Sequence, residues 1–163
     1  MLLELARLEE FFEVTIITQN VDNLHEKAGS SRIIHLHGEL FKVRSTLDPN
    51  LVYDLEGWEL SLGDKCEKGS QLRPHIVWFG EMVPMMEPAI EYTLNADVFA
   101  VIGTSLLVYP AAGLIDYVKK DVPKYIIDKH IPPVNPDPML QKIRQPATIG
   151  TAIMAKEIIQ KYA

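Results

Sequence analysis

Leu2, Leu5, Leu8 and Phe12 recur at helical spacing, with Glu4, Arg7, Glu9 and Glu10 between them. This pattern predicts an amphipathic helix over residues 1–12, although no capping residue precedes it. Val14-Thr15-Ile16-Ile17-Thr18 is β-branched throughout and predicts a strand buried on both faces, as in a parallel sheet. Asp22 to Lys27 predicts a short helix stopped by Gly29, and Ile33 to Leu36 a second strand. Residues 44–72 break the periodicity. They carry Asp48-Pro49-Asn50, Gly57, Gly63-Asp64 and Gly69-Ser70 among scattered apolar residues, which predicts a loop-rich insert or small subdomain outside the main sheet. Regular patterning then resumes. Ile76 to Phe79 is an apolar run ended by Gly80, residues 87–95 suit a helix, and Val98 to Ile102 is the clearest central strand. Ala111 to Lys119 suits a helix, Tyr125 to Ile127 a strand, and the four prolines of 129–138 a loop. Thr148 to Tyr162 closes the pattern as a helix with Ile149, Ile153, Ile158 and Ile159 on its inner side.

Strands alternating with helices predict an α/β fold with a parallel sheet covered on both faces. In such sheets ligands bind beyond the carboxyl ends of the strands. Three polar clusters fall there: Thr18–Asp22 after the first strand, Gly103–Ser105 after Ile102, and Asp128 after Ile127. Composition narrows the chemistry. The chain has 163 residues, enough for one domain with a core, and a net charge of -6 from 16 basic and 22 acidic side chains. That balance argues against a nucleic-acid partner, which clustered Lys and Arg would grip. Cys66 is the single cysteine, so an intrachain disulfide and a four-cysteine zinc site are both impossible, and a reducing cytoplasm fits. No apolar stretch nears the roughly 20 residues a membrane helix needs.

Each cluster admits more than one reading. Gly103-Thr104-Ser105 offers a close backbone approach and two hydroxyls, suited to a phosphate or ribose, or is a plain turn. Asp128 could accept from a ribose diol or cap a turn. Gln19, Asn20, Asp22 and Asn23 could match a carboxamide or form an Asx-type turn. His25, His35 and His37 hold three of the five histidines within thirteen positions. A metal site needs framing ligands that the spacing does not supply, so we expect none. His37 stands beside Gly38, where the chain can open to a ligand, and a neutral imidazole is a good base near pH 7. The stretch from Arg73 to Glu81, RPHIVWFGE, suits either core or the lining of a channel for a flat apolar chain.

Taken together, TQNVDNLHEKAGS, HLHGEL, RPHIVWFGE and GTSLLVYPAAGL resemble motifs of the sirtuins, NAD-dependent protein-lysine deacylases, in the family's order. The resemblance runs from about residue 10 onward and implies a Rossmann-like NAD-binding domain, 1–43 and 73–163, with a small subdomain at 44–72. It implies that His37 is the general base on the nicotinamide ribose. Gln19 and Asn20 would contact that ribose region, and Val21 and Asp22 would hold the nicotinamide carboxamide. Gly103, Thr104 and Ser105 would bind the phosphate and adenosine side, and Asp128 the adenine ribose. Val77 and Phe79 would line the acyl-lysine channel, and Val108 would flank a bound peptide. The implied partner is an acylated lysine on a protein or peptide. The alternatives are a non-catalytic acyl-lysine or partner-binding module and NAD-dependent ADP-ribosyl transfer to protein. Two departures stand out. Sirtuins usually carry a four-cysteine zinc site, which Cys66 alone cannot supply, so packing must hold the 44–72 segment. The family's opening Gly-Ala-Gly loop, which cradles the diphosphate, has no counterpart, so the expected chain lacks the first βα unit and binds NAD weakly in isolation.

Overall fold

The computed structural model describes all of residues 1–163. Helix α1 (Leu2–Arg7) continues as a 3-10 turn over Leu8–Glu10, and Leu5 and Leu8 of the apolar stripe are buried. Strand β1 (Ile16–Thr18) pairs in parallel with β2 (Ile33–His35), with Ile17 opposite Ile34. Between them lies α2 (Leu24–Lys27), which starts where the Leu24 amide donates to Asp22 Oδ1 at 3.0 Å. Strands β3 (Gly38–Ser45), β4 (Val52–Asp54) and β5 (Leu72–Ile76) form a separate antiparallel sheet in the order β4-β3-β5. After α3 (Met86–Leu94), strands β6 (Phe99–Ile102), β7 (Lys124–Ile127) and β8 (Leu140–Ile143) run parallel in that order. A 3-10 helix over Ala111–Tyr117 lies in the crossover from β6 to β7, and α4 (Ala147–Tyr162) follows β8. No helix is long and apolar enough to cross a membrane.

Two apolar layers sandwich the parallel strands. On one face Leu5 and Leu8 of the N-terminal helical segment and Met154, Ala155 and Ile158 of α4 pack on Ile16, Tyr125, Ile127 and Ile143. On the other, Ala89 of α3 and Ala111 and Leu114 of the 3-10 helix pack with Ile34 and Leu36. Burying a side chain of this size contributes roughly 1.5–3 kcal/mol, so these layers carry the fold. Two buried polar side chains of β7 find partners. Tyr125 donates its hydroxyl to Glu157 Oε1 at 3.1 Å, and Lys124 Nζ donates to the Lys119 and Val122 carbonyls at 2.9 and 3.0 Å while pairing with Asp137. The strips β1–β2 and β6–β8 share both layers, yet no strand pairing joins them.

Several expected elements shift. The helix over 1–12 holds its α form only to Arg7. Of the apolar run 76–79 only Ile76 is in a strand: β5 ends there, where its pairing partner β3 begins at Gly38. The 111–119 helix is 3-10 and ends at Tyr117. Strand β8, Leu-Gln-Lys-Ile, has too little apolar character to stand out, and its parallel register with β7 creates it. On α4, Ile149 and Ile153 are 51% and 45% exposed, so they do not face inward. Gly150, Thr151, Met154, Ala155 and Ile158 do, because Gly150 lets the helix press on Ile127 and Ile143.

Side-chain hydrogen bonds and an ion pair tie the segment 44–72 together. Thr46 and Ser70 share a hydroxyl hydrogen bond of 2.6 Å, Lys68 pairs with Asp48 at 2.8 Å, and Tyr53 bonds Glu67. Cys66 is buried, its thiol donating to Ser45 Oγ at 3.3 Å.

Candidate functional site

The carboxyl ends of β1 and β2 run side by side, and the chain beyond β1 is stitched to residues 35–40 one carbonyl at a time. The Leu36 amide donates to Thr18 O at 2.9 Å and the Leu40 amide to Val21 O at 2.7 Å. The two carbonyls between are taken by imidazoles. His37 Nδ1 meets Gln19 O at 3.0 Å, and His35 Nδ1 meets Asn20 O at 3.3 Å. A carbonyl only accepts, so Nδ1 of neutral His37 carries the proton and Nε2 keeps its lone pair. His37 is half-buried and sits in the turn joining β2 to β3. Its own carbonyl accepts from the Val77 amide at 2.9 Å, which ties Val77 to the same turn. That turn requires glycine next: Gly38 has φ +86, and a Cβ there would stand 1.9 Å from the His75 carbonyl oxygen.

The amide cluster reaches across to the second strip. Gln19 Nε2 donates to Thr104 Oγ1 at 3.5 Å, bringing the end of β1 to the end of β6. Gly103 follows β6 at φ +64, its amide donating to Ile127 O at 2.9 Å, and only Ala147 Cβ lies within 4 Å of where a side chain would start. Ser105 is exposed. Asp128 follows β7, with Oδ1 accepting from the His130 amide at 2.8 Å. Phe79 is 99% exposed and Val108 41% exposed. The structure thus brings Gln19, His37, Val77 and Thr104 together through hydrogen bonds, ties Asn20 to His35, and leaves Phe79 and Val108 presented to solvent.

Two arrangements were not foreseen. Glu81 accepts from Arg73 at 2.7 and 3.3 Å, from Arg44 at 3.2 Å and from the Trp78 amide at 3.1 Å. The Arg73 hydrogen bond leads in holding its carboxyl below the usual range. This clamp closes the turn 77–81 back onto β3 and β5. The other is a cavity of about 210 Å³ whose wall includes Val21, Asp22, Glu26, His35 and Glu39. There His35 Nε2 meets Glu26 Oε1 at 2.7 Å. Glu26, His35 and Glu39 bring one ligand atom each within 4.8 Å of one another, a spacing that could hold a metal ion. Here Glu26 is engaged by His35, and Glu39 accepts from Lys42 Nζ at 3.0 Å. Burial pushes the Glu26 carboxyl up, but the His35 hydrogen bond and the neighbouring imidazoles outweigh it, leaving it below the ordinary value. The sequence signal was the alternation of His35 and His37, which put both rings on one edge.

Comparison with known proteins follows the same outline. Residues 2–110 match a family model described as the Sir2 family. The chain is 58% identical over 129 residues to an NAD-dependent protein deacylase of Bacteroides thetaiotaomicron, covering 76% of this chain and 55% of that protein. It is 59% identical over 124 residues to one from Helicobacter pylori, covering 76% and 54%. The chain therefore spans about half the length of the curated relatives it matches. Among solved structures, a Sir2 homologue–NAD complex superposes with a TM-score of 0.83 at 36% identity, covering 99% of this chain and 65% of that one. A Sir2–p53 peptide–NAD+ complex gives 0.73 at 30% identity, covering 98% and 68%.

Proposed function

As the chain belongs to the Sir2 family, we propose that it serves NAD-dependent removal of acyl groups from protein lysine, giving nicotinamide and O-acyl-ADP-ribose. One observation carries the reading: the Gln19 carbonyl fixes the His37 ring so that its basic nitrogen is free at the carboxyl edge of the parallel strands. The donor set there suits a dinucleotide. Amide side chains at Gln19 and Asn20, hydroxyls at Thr104 and Ser105, and the uncovered backbone of Gly103 match sugar and phosphate groups. When bound, NAD supplies an electrophilic ribose carbon from which nicotinamide can leave.

The chain's own residues then divide the work. His37 accepts a proton at Nε2 from a sugar hydroxyl held against it, and fixed contact makes a modest base sufficient. Gln19 and Asn20 orient that ribose, while Val21 and Asp22 hold the carboxamide. Gly103, Thr104 and Ser105 receive the phosphate and adenosine side, and Asp128 the adenine ribose. Val77 and Phe79 flank the acyl chain, and Val108 the peptide carrying the acylated lysine. The same reading assigns 1–43 and 73–163 to cofactor binding and 44–72 to the insert, of whose separate sheet only β4 lies wholly within those bounds, since β3 starts at Gly38 and β5 ends at Ile76. It also sets the protein in the cytoplasm, in keeping with its single cysteine.

The test is nicotinamide release on addition of NAD and an acetylated peptide. We expect His37→Ala to lower turnover by about 10²–10⁴-fold with NAD binding largely intact. Turnover that survives the substitution would remove His37 from the role of base. Labelled ADP-ribose retained on protein, with no free lysine formed, would overturn deacylation in favour of ADP-ribosyl transfer.

A further inference from the structure

Four consecutive carbonyls, Thr18 to Val21, lead away from β1, and residues 35–40 supply a donor to each. Backbone amides take the outer two, and His37 takes Gln19. Asn20 is different. Its carbonyl is held only by the His35 side chain, and Asn20 itself is exposed. His35 is not part of the chemistry assigned to His37, yet its side chain is only 8% exposed and is gripped at both ends. A carbonyl and a carboxylate both only accept, so the ring can serve Asn20 O and Glu26 together only by donating from both nitrogens. Charge-assisted bonds of this kind are the stronger ones. Glu26 faces the ring from α2, Glu39 from β3, and Asp22 and Asp54 share the cavity wall with Lys42. His25 directly precedes Glu26 on α2.

We propose that His35, braced by Glu26, is a positioning residue that fixes the Asn20–Asp22 turn for the nicotinamide-ribose end of NAD. The proposal rests on the function given above and names what holds that part of the site in place. The clamp works through the backbone: fixing the Asn20 carbonyl fixes the peptide plane shared with Val21, and hence the Val21–Asp22 segment. Small misplacements at such a point cost as much as 10²-fold in rate.

Two substitutions separate positioning from packing, because each amide mimics one ring nitrogen. His35→Asn keeps a donor near the Nδ1 position and can still reach Asn20 O, while losing Glu26. His35→Gln keeps a donor near Nε2 and can still reach Glu26, while releasing Asn20. Both should fold, with similar melting temperatures. In nicotinamide-release kinetics we expect His35→Gln to raise KM for NAD by about tenfold with a smaller change in kcat, and His35→Asn to stay within about threefold of the parent. Equal losses in both variants, or none in either, would overturn the proposal. The second readout needs no activity: the Val21 amide resonance, whose peptide carbonyl is the acceptor, followed without NAD. It should move in His35→Gln and hold in His35→Asn. If the parent chain releases no nicotinamide, the deacylase reading fails on its own. The clamp is then judged by this resonance, and an unmoved signal in His35→Gln overturns it.

Discussion

A single methyl group at residue 38 would collide with the backbone of β5. The Gly38 position combines φ +86 with a Cβ site 1.9 Å from the His75 carbonyl oxygen, so neither rotation nor a flexible neighbour can relieve the contact. We expect Gly38→Ala to lose roughly 2 kcal/mol or more in urea unfolding, and a loss below about 0.5 kcal/mol would show that the two strands can separate without cost. At this scale much of the candidate site was legible. Gln19, Asn20 and His37 lie in contiguous polar stretches directly after apolar strands, and that adjacency is written in the chain order. The Glu26–His35 pair and the Arg44–Arg73–Glu81 clamp were not legible, because each depends on side chains meeting from different elements. The geometry gives Glu81 a direct test. Glu81→Gln leaves Arg44 and Arg73 without their shared carboxylate, and the 77–81 turn should become the earliest site of proteolytic cleavage. An unchanged digestion pattern would show that Trp78 to Gly80 are held by other means.

Helix α4 shows how tertiary contact overrides local preference. Glycine at position 150 lowers intrinsic helix stability, and alanine would recover about 1 kcal/mol in an isolated helix. In the fold the added Cβ would stand 2.3 Å from Ile127 Cγ2, a buried branch methyl with no room to move, and 3.2 Å from Ile143 Cγ2. Overpacking of this kind costs typically 1–3 kcal/mol, so we expect Gly150→Ala to be destabilising overall, read as a lowered melting temperature. A raised melting temperature would mean that the helix shifts outward freely. The same contact explains why the expected inner face was wrong at Ile149 and Ile153: size alone suggested them, but close approach selected the smaller residues. The β-branched β1 and the wholly apolar β6 declared themselves, whereas β3, β4 and β8 were hidden because cross-strand pairing, not composition, makes them strands.

For the molecule as a whole, acid should act first through two imidazoles, His25, which is buried, and His75, which is partly buried. Burial leads in pushing both His25 and His75 below their ordinary value of 6.5. Each has an Nδ1 atom that is buried and without a hydrogen-bond partner. A depressed folded-state value means that the unfolded chain takes up protons first. The stability these neutral rings contribute is therefore complete above about pH 6.5 and is lost as pH falls through their folded values. Melting temperatures measured from pH 7.5 down to 5 should decline, and His75→Gln should flatten part of that decline. A flat profile in the parent chain would show that the two rings titrate normally. Side chains, rather than a backbone ladder, bind the β1–β2 strip to the β6–β8 strip. Deuterium should therefore enter the molecule in two stages. Amides of β7, between two strands and with Ile126 and Ile127 wholly inaccessible, should exchange only when the entire chain opens. Those of β1 and β2 should exchange through a cheaper, partial detachment, so that the loops carrying His37 and Gln19 sit on the looser of the two halves.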